Sequence, residues 1–313
     1  MGGSMQLKKL LVVVDEKHNR HPALKRAVCL AKQSSATLEI LLVNYESSFD
    51  GFLSFSKEKK AEKDSYLANK KKWLDSLVQP IKEQGITVNT TVRWNKVYYK
   101  EILIFADEIK PDIIFKSAYS ENMIKRLFIT NSSWQLIRNC KYPLWLVQHS
   151  DWDNNNICVA LDPLHTSDKP AYLDNELISI SQALSKVLNI SADYLHSYAA
   201  MPKPQLFGGE QSEAYEQYFK GFVKEHTEAF EGLLSHYPEI TKNHQFLLEG
   251  FAEEVIPNFI KQHNISLMIM GAVARGSLDN LLIGHTAERV LESIECDLLV
   301  IHPKQPPTHG DTK

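Results

Sequence analysis

Three glycines, an arginine and a histidine lie close together in the segment 271–286, which reads GAVARGSLDNLLIGHT. Glycines allow backbone N–H groups to close on an anion, and a helix N-terminus offers unpaired N–H donors at the positive end of its dipole. An arginine beside such a loop can clamp a phosphate. The segment therefore predicts a site for a phosphate-bearing small molecule.

The candidate ligand-binding residues lie in this loop and at two predicted strand ends. They are Leu161, Asp162, Met270, Gly271, Val273, Ala274, Arg275, Gly276, Gly284, His285 and Thr286. Several have ordinary alternatives, because glycines are common in strand-to-helix turns, an exposed loop arginine is commonplace and a histidine often caps a helix. Both interpretations stay open at this point.

Two carboxylates, Asp15 and Asp162, each follow a short apolar run that reads as a buried strand. Asp162 is a candidate ligand contact, and Asp15 is its counterpart in the first half of the chain. The alternative is that each aspartate caps the helix that follows it, a common role for aspartate.

The first half of the chain alternates short apolar segments with segments of helical spacing. Strands are predicted at residues 10–15, 37–43, 86–94, 111–115 and 143–147, with helices at 21–32, 57–84, 97–109 and 132–139. Continuously apolar, β-branched runs are typical of strands buried on both faces of a parallel sheet. This order predicts a doubly wound α/β domain.

A polar, turn-prone break at residues 151–156 precedes a second round of the same order. Strands are predicted at 157–162, 192–197, 243–249, 265–270 and 297–301, with helices at 173–188, 213–234, 253–262 and from about 286. LLIGHT at 281–286 aligns without gaps on LFITNS at 127–132, so the chain is a tandem repeat. We expect a cloning remnant at 1–4, domains at 5–150 and 151–303, and a polar tail at 304–313.

The glycine pattern and the tandem order resemble the universal stress protein family in its two-domain form. The resemblance implies two tandem Rossmann-like or flavodoxin-like doubly wound domains, each a five-stranded parallel sheet with helices on both faces. In the family's single-domain ATP binders, the pattern G-x2-G-x9-G-[ST] holds the phosphates and ribose, and the aspartate that ends the first strand contacts adenine.

The chain departs from that pattern at two places. Gly271 and Gly284 match the first and last glycines, but Ala274 replaces the second glycine and His285 replaces the hydroxyl residue, with Thr286 one place later. The alanine adds a Cβ, and the histidine is a bulkier, titratable ring. Both changes weaken the case for ATP and leave other phosphate-bearing ligands open.

The first copy of the loop has lost its glycines. Ser117 stands where Gly271 is, and Asn122 stands where Gly276 is. We therefore expect the first repeat to be a scaffold or to hold a different pocket, and the second repeat to keep the ligand site.

The resemblance also implies that the fifth strands, Leu144 to Val147 and Leu298 to Ile301, pair across the repeats. One chain would then be a monomer that reproduces a dimer of single-domain relatives, with further self-association left open. The function implied is stress protection or regulation in the cytoplasm. A ligand-free protein-interaction scaffold and a slow nucleotide hydrolase are the alternatives.

Composition makes several classes of protein function less expected. A net charge of −3 provides no basic field for nucleic acid, and no apolar run approaches the length of about 20 residues that a membrane span needs. A signal peptide is not expected either. Four isolated cysteines fit a reducing compartment, and neither a metal site nor a catalytic triad can be assembled from the spacings. An enzyme is therefore the less expected outcome.

Overall fold

The computed structural model describes residues 6–17, 20–49, 57–118, 131–148, 152, 155–164, 172–200, 213–272 and 285–303, with the backbone alone at residues 57 and 285–287. These residues form two compact units. The first comprises residues 1–152 together with 297–300, and the second comprises residues 153–296 together with 301–313.

In the described part of the first repeat, five mutually parallel strands alternate with four α-helices. The strands are β1 (Lys9–Val14), β2 (Thr37–Asn44), β3 (Val88–Trp94), β4 (Ile113–Ser117) and β5 (Leu144–Val147). The helices are α1 (Pro22–Ser34), α2 (Lys57–Lys82), α3 (Tyr98–Ile109) and α4 (Asn131–Asn139). The strand order is β3-β2-β1-β4-β5, so the order along the sheet reverses between β1 and β4. Ligand clefts of doubly wound folds lie at that point.

The central strands form the core of the first unit. Leu10, Leu11 and Val12 of β1 are fully buried, as the continuous apolar run predicts for a parallel sheet. Helix α1 buries alanines and leucines spaced three and four residues apart, which is the amphipathic pattern of a helix packed on a sheet. Phe115 of β4 stacks on Trp145 of β5 at a centroid distance of 5.0 Å.

The last strand of the chain, β10 (Asp297–Ile301), pairs antiparallel with β5. Leu298 is opposite Leu146, and Val300 is opposite Leu144. The predicted pairing of the two fifth strands is thus confirmed. Residues 297–300 belong to the first compact unit, although they come from the second repeat of the sequence.

The second unit repeats the architecture. Its strands are β6 (Asn156–Ala160), β7 (Ser191–Tyr198), β8 (Gln245–Glu249) and β9 (Ile265–Gly271). Its helices are α5 (Tyr172–Leu188), α6 (Glu213–Leu234), α7 (Ala252–Gln262) and α8 (His285–Ser293). The parallel order β8-β7-β6-β9 matches β3-β2-β1-β4 of the first unit. The predicted fold class, tandem α/β domains built on a mostly parallel sheet, is confirmed.

Candidate functional site

Four of the predicted ligand residues lie at the carboxyl edge of the second unit's sheet. Strands β6 and β9 are neighbours, with Val159 paired to Ile269. Leu161 and Asp162, which follow β6, therefore lie on the same edge as Met270 and Gly271, which end β9. Leu161 and Met270 are buried, so they lie beneath the surface of this edge.

Gly271 lies close to helix α5. A Cβ built on this residue would lie 2.8 Å from Cδ2 of Leu173, which belongs to the first turns of α5. Real Cβ atoms do not approach other carbons that closely, so the side chain of Leu173 would have to shift to admit one.

The two strand-end aspartates make different contacts. The backbone N–H of Asp162 donates to Oδ1 of the buried Asp174 at 3.2 Å, and α5 begins only at Tyr172. In the first unit, Oδ1 of Asp15 accepts the N–H of Lys17 at 2.9 Å, and the N-cap position of α1 is His21. The helix-cap alternative is therefore wrong for Asp15, and for Asp162 the residues just before α5, 165–171, lie outside the described part.

Most of the glycine loop lies outside the described residues. Val273, Ala274, Arg275, Gly276 and Gly284 fall there, and their roles stay predictions. Helix α8 begins at His285 and continues through Thr286, so the loop connects the carboxyl end of β9 with the start of α8. The side chains of His285 and Thr286 are likewise outside the described part.

A pair of histidines, His196 and His226, lies near this edge and is absent from the residues that the sequence predicts for the site. Nδ1 of His196 lies 3.0 Å from the carbonyl oxygen of Leu161, and its Nε2 lies 2.7 Å from Nδ1 of His226. The carbonyl can only accept, so Nδ1 of His196 carries the hydrogen and Nε2 accepts from the Nδ1–H of His226. Burial lowers the pKa of His196, while Asp162 and Asp174 act in the opposite direction. Burial thus disfavours the charged form of His196.

Aromatic rings of α6 surround this pair. Phe222 lies 4.4 Å from the ring of His226, and Tyr198 of β7 lies 5.3 Å from it. Phe230 stacks near His196 at 6.0 Å. The repeated spacing of four residues along α6, from Phe222 through His226 to Phe230, was the available signal, because it places all three on one helix face.

The carboxyl edge of the first unit's sheet carries different residues. Asp15 lines a cavity of about 400 Å³ at the carboxyl ends of β1 and β2. Lys116 of β4 occupies the place of Met270, and its Nζ donates to the carbonyl oxygen of Ser117 at 3.0 Å. Burial lowers the pKa of Lys116 to about 8, and the charge of Asp15 opposes that shift.

The described part of the chain lacks two features. It contains no group of three or more histidine, cysteine, aspartate or glutamate side chains arranged to hold a metal ion. None of its helices is both long and apolar enough to span a membrane.

Comparison with known proteins identifies the family of this chain. The sequence model of the universal stress protein family matches residues 6–148 and again 154–302. The chain belongs to the universal stress protein family. It carries two copies of the family domain in tandem, and the function class that follows is a role in the stress response.

Relatives of this universal stress protein have the same two-repeat length. It is 25% identical over 301 residues to universal stress protein E of Escherichia coli strain K12, covering 95% of this chain and 94% of that protein. It is 27% identical over 313 residues to the universal stress protein E homolog of Haemophilus influenzae, covering 96% and 99%. The resemblance implied by the sequence motifs is confirmed.

A solved structure supports the same fold. The crystal structure of a putative universal stress protein from Pseudomonas aeruginosa UCBPP-PA14 superposes with a TM-score of 0.72 at 21% identity, covering 95% of this chain and 94% of that chain. At that identity the likeness concerns the fold alone.

Proposed function

We propose that this universal stress protein binds a nucleotide or another phosphate-bearing small molecule in the cleft of its second repeat and acts as a protective or regulatory factor. ATP is one candidate ligand, and no metal is required by the proposal. The residues proposed to contact the ligand are those of the loop 271–286 together with Leu161 and Asp162.

One observation carries the proposal. Strand β9 ends at Gly271 and α8 begins at His285, so the glycine loop runs from the carboxyl end of an inner strand to a helix N-terminus. The backbone N–H groups at that terminus have no partners within the helix, and the helix dipole favours an anion there. Asp162 follows the adjacent strand β6, and we propose that it contacts the rest of the ligand.

Two further features support the proposed monomeric state and the proposed location of the protein. Because β10 pairs with β5, we propose that the chain functions as a monomer that reproduces a pseudo-dimer. The four cysteines are free thiols, and Cys140, Cys158 and Cys296 are buried. Thiols stay reduced in the cytoplasm, where we place the protein.

Titration of the whole protein with ATP, ADP and inorganic phosphate by calorimetry tests the proposal. Gly276→Val is expected to weaken binding by at least about tenfold, because the side chain blocks the backbone from the phosphate. The matched control is Asn122→Val, the equivalent position of the first repeat, which should leave the affinity unchanged. The reverse pattern would place the site in the first repeat.

The same titration distinguishes the two alternative functions, an interaction scaffold and a slow nucleotide hydrolase. If no nucleotide or phosphate binds, and mass spectrometry finds no small molecule that co-purifies, the protein is a ligand-free interaction scaffold. If bound ATP is turned over, and Asp162→Ala abolishes the turnover, the protein is a slow hydrolase.

A further inference from the structure

The two units carry opposite net charges. Residues 1–152 with 297–300 contain 24 lysines and arginines against 17 aspartates and glutamates, a net charge of +7. Residues 153–296 with 301–313 contain 11 against 21, a net charge of −10. The net charge of −3 for the whole chain is the sum of these two values, so it does not exclude a basic surface on the first unit.

Two equivalent elements carry much of this difference. Helix α2 follows the second strand of the first unit, as α6 follows the second strand of the second unit. Helix α2 contains eight lysines against four acidic residues, whereas α6 contains two lysines against five glutamates. After the third strands, Lys96 and Lys100 follow β3, but Glu253 and Glu254 follow β8. The basic residues thus lie beside β3, the outermost strand of the first unit.

Aromatic rings lie among these lysines. The ring of Trp94, the last residue of β3, is 5.5 Å from the ring of Tyr45, 5.8 Å from that of Phe49 and 6.1 Å from that of Tyr66. Nζ of Lys63 lies 4.2 Å from the centre of the Trp94 ring. Aromatic rings interleaved with cations are typical of sites that bind single-stranded nucleic acid.

Positive charge exceeds negative charge around these rings. The segments 44–49, 57–82 and 94–100 contain ten lysines and five acidic residues. Glu16 lies 2.6 Å from Lys70, and counting this carboxylate as well still leaves a surplus of four. In the part of the chain that the structure describes, four of these lysines have no ion pair: Lys60, Lys63, Lys96 and Lys100. Their ammonium groups can therefore contact phosphates.

An exposed ring lies between two of these lysines in the sequence. Tyr98, the first residue of α3, is 41% exposed. It lines the same cavity as Tyr45 and Tyr66, so it borders the ring cluster. A base can stack on such a ring while the neighbouring phosphates contact lysines. The first residue of the equivalent helix α7 is Ala252, and the exposed Phe251 before it is followed by glutamates rather than lysines.

We propose that the first unit binds single-stranded nucleic acid on the surface formed by the start of α2 and the turn between β3 and α3. Bases stack on Tyr98 and the adjacent rings, and phosphates contact Lys60, Lys63, Lys96 and Lys100. The second unit is acidic at the equivalent elements and takes no part. No residue of the loop 271–286 is involved, so the proposal is independent of the proposed function.

Fluorescence anisotropy of the whole protein with labelled 15-nucleotide oligouridylate and oligothymidylate tests this assignment. Four phosphate contacts predict a slope of about −2.8 for log affinity against log salt, which is a loss of about 50-fold between 50 and 200 mM salt. The triple variant Lys60→Gln, Lys96→Gln, Lys100→Gln should reduce the slope to about −0.7. Tyr98→Ala should weaken binding by about fivefold or more and leave the slope unchanged.

The second unit provides matched controls. Lys220→Gln changes an exposed lysine of α6, and Phe251→Ala removes the exposed ring before α7. Both variants should bind the oligonucleotides as the unchanged protein does. Gly276→Val should also leave this binding unchanged, so the nucleic-acid proposal and the proposed function can fail separately.

Several outcomes would overturn the assignment. They are the absence of saturable binding to either oligonucleotide, tighter binding of a duplex of the same length, and binding that the triple variant retains with an unchanged slope. Displacement of the oligonucleotide by ATP would place it in the ligand cleft instead. Salt-sensitive self-association of the free protein that the triple variant abolishes, without oligonucleotide binding, would identify the acidic unit of a second copy as the partner.

Discussion

The carboxylate of Asp297 lies 2.9 Å from Nε of Arg26, and both side chains are almost fully buried, at 2% and 4% exposure. The two residues are 271 positions apart in the sequence. Trp145 Nε1 and the backbone N–H of Gln148 also donate to this carboxylate, each at 3.0 Å. The first residue of β10 is thus held by three donors of the first unit, which fixes the register of β10 on β5.

Removing this carboxylate should destabilise the protein strongly. Asp297→Ala removes the carboxylate that faces the buried guanidinium of Arg26, and breaking one side of a buried pair costs about 3–5 kcal/mol. Urea unfolding at neutral pH measures the loss. Arg26→Met combined with Asp297→Leu should recover most of it, because no charge is then left unpaired. The exposed pair of Lys141 and Asp107 is the control, and Asp107→Ala should cost less than about 1 kcal/mol.

The histidine pair predicts a loss of stability in acid. Burial lowers the pKa of His196 below its ordinary value of 6.5, so below that pH the unfolded chain binds a proton that the folded chain does not. The contribution of His196 to the free energy of unfolding is therefore fully present above pH 6.5. It is lost as the pH drops below that value, with a slope of at most about 1.4 kcal/mol per pH unit.

Replacing His196 by leucine, the residue of the first repeat, should reduce the difference in unfolding free energy between pH 7.5 and pH 5.5. His236→Gln changes an exposed ring and serves as the control. An unchanged difference in the His196→Leu protein would contradict the assignment of this acid sensitivity to the buried ring.

Gly271 should accept a methyl group only when the side chain of Leu173 moves. Gly271→Ala brings the new Cβ within 2.8 Å of Cδ2 of Leu173, and because that atom ends a side chain that can rotate, the cost should lie at the low end of overpacking, about 1 kcal/mol. Leu173→Ala in the same chain should remove most of that extra cost, which a double-mutant cycle by thermal unfolding measures. Gly221 in α6 has no heavy atom near its built Cβ, so Gly221→Ala should instead stabilise by about 0.5–1 kcal/mol.

Lys116 should reduce stability at neutral pH. Burial lowers its pKa from 10.5 to about 8, so the unfolded chain binds the proton more tightly than the folded chain does. Stability therefore rises with pH between about 8 and 10.5, and below pH 8 the full cost is present. Lys116→Met, which introduces the residue of the second repeat, should stabilise by up to about 3 kcal/mol at pH 7. The gain should shrink at pH 10, whereas Lys72→Met at an exposed site should show no such dependence.

The secondary structure followed closely from local patterns. Helix Glu213–Leu234 and strand Asp297–Ile301 have the bounds that the sequence predicts, because apolar periodicity and turn residues act over only a few positions. Strand β8 was predicted two residues too long at its start, where a 3-10 turn, Lys242–His244, precedes it. Such a turn has no apolar period to reveal it.

The candidate sites were less predictable than the secondary structure, because they depend on contacts between residues that are far apart in the sequence. The spacing of Gly271 and Gly284 marked the connection between β9 and α8, but the close approach of Leu173 to Gly271 comes from a helix about 100 positions earlier. The pairing of His196 with His226 depends on how α6 packs against β7, and neither position has a local ligand pattern. The open cavity of the first repeat has no motif of its own either.

The sequence by itself determined the tandem repeat, the family, the alternation of strands and helices and the position of the glycine loop. Each of these follows from residue types at short, regular spacings. Only the tertiary structure decided that β10 completes the sheet of the first unit, that Asp297 is held by Arg26, and that a cavity opens beside Asp15 at the carboxyl ends of β1 and β2. These features depend on contacts between residues far apart in the chain, which pairing and packing select and local spacing does not encode.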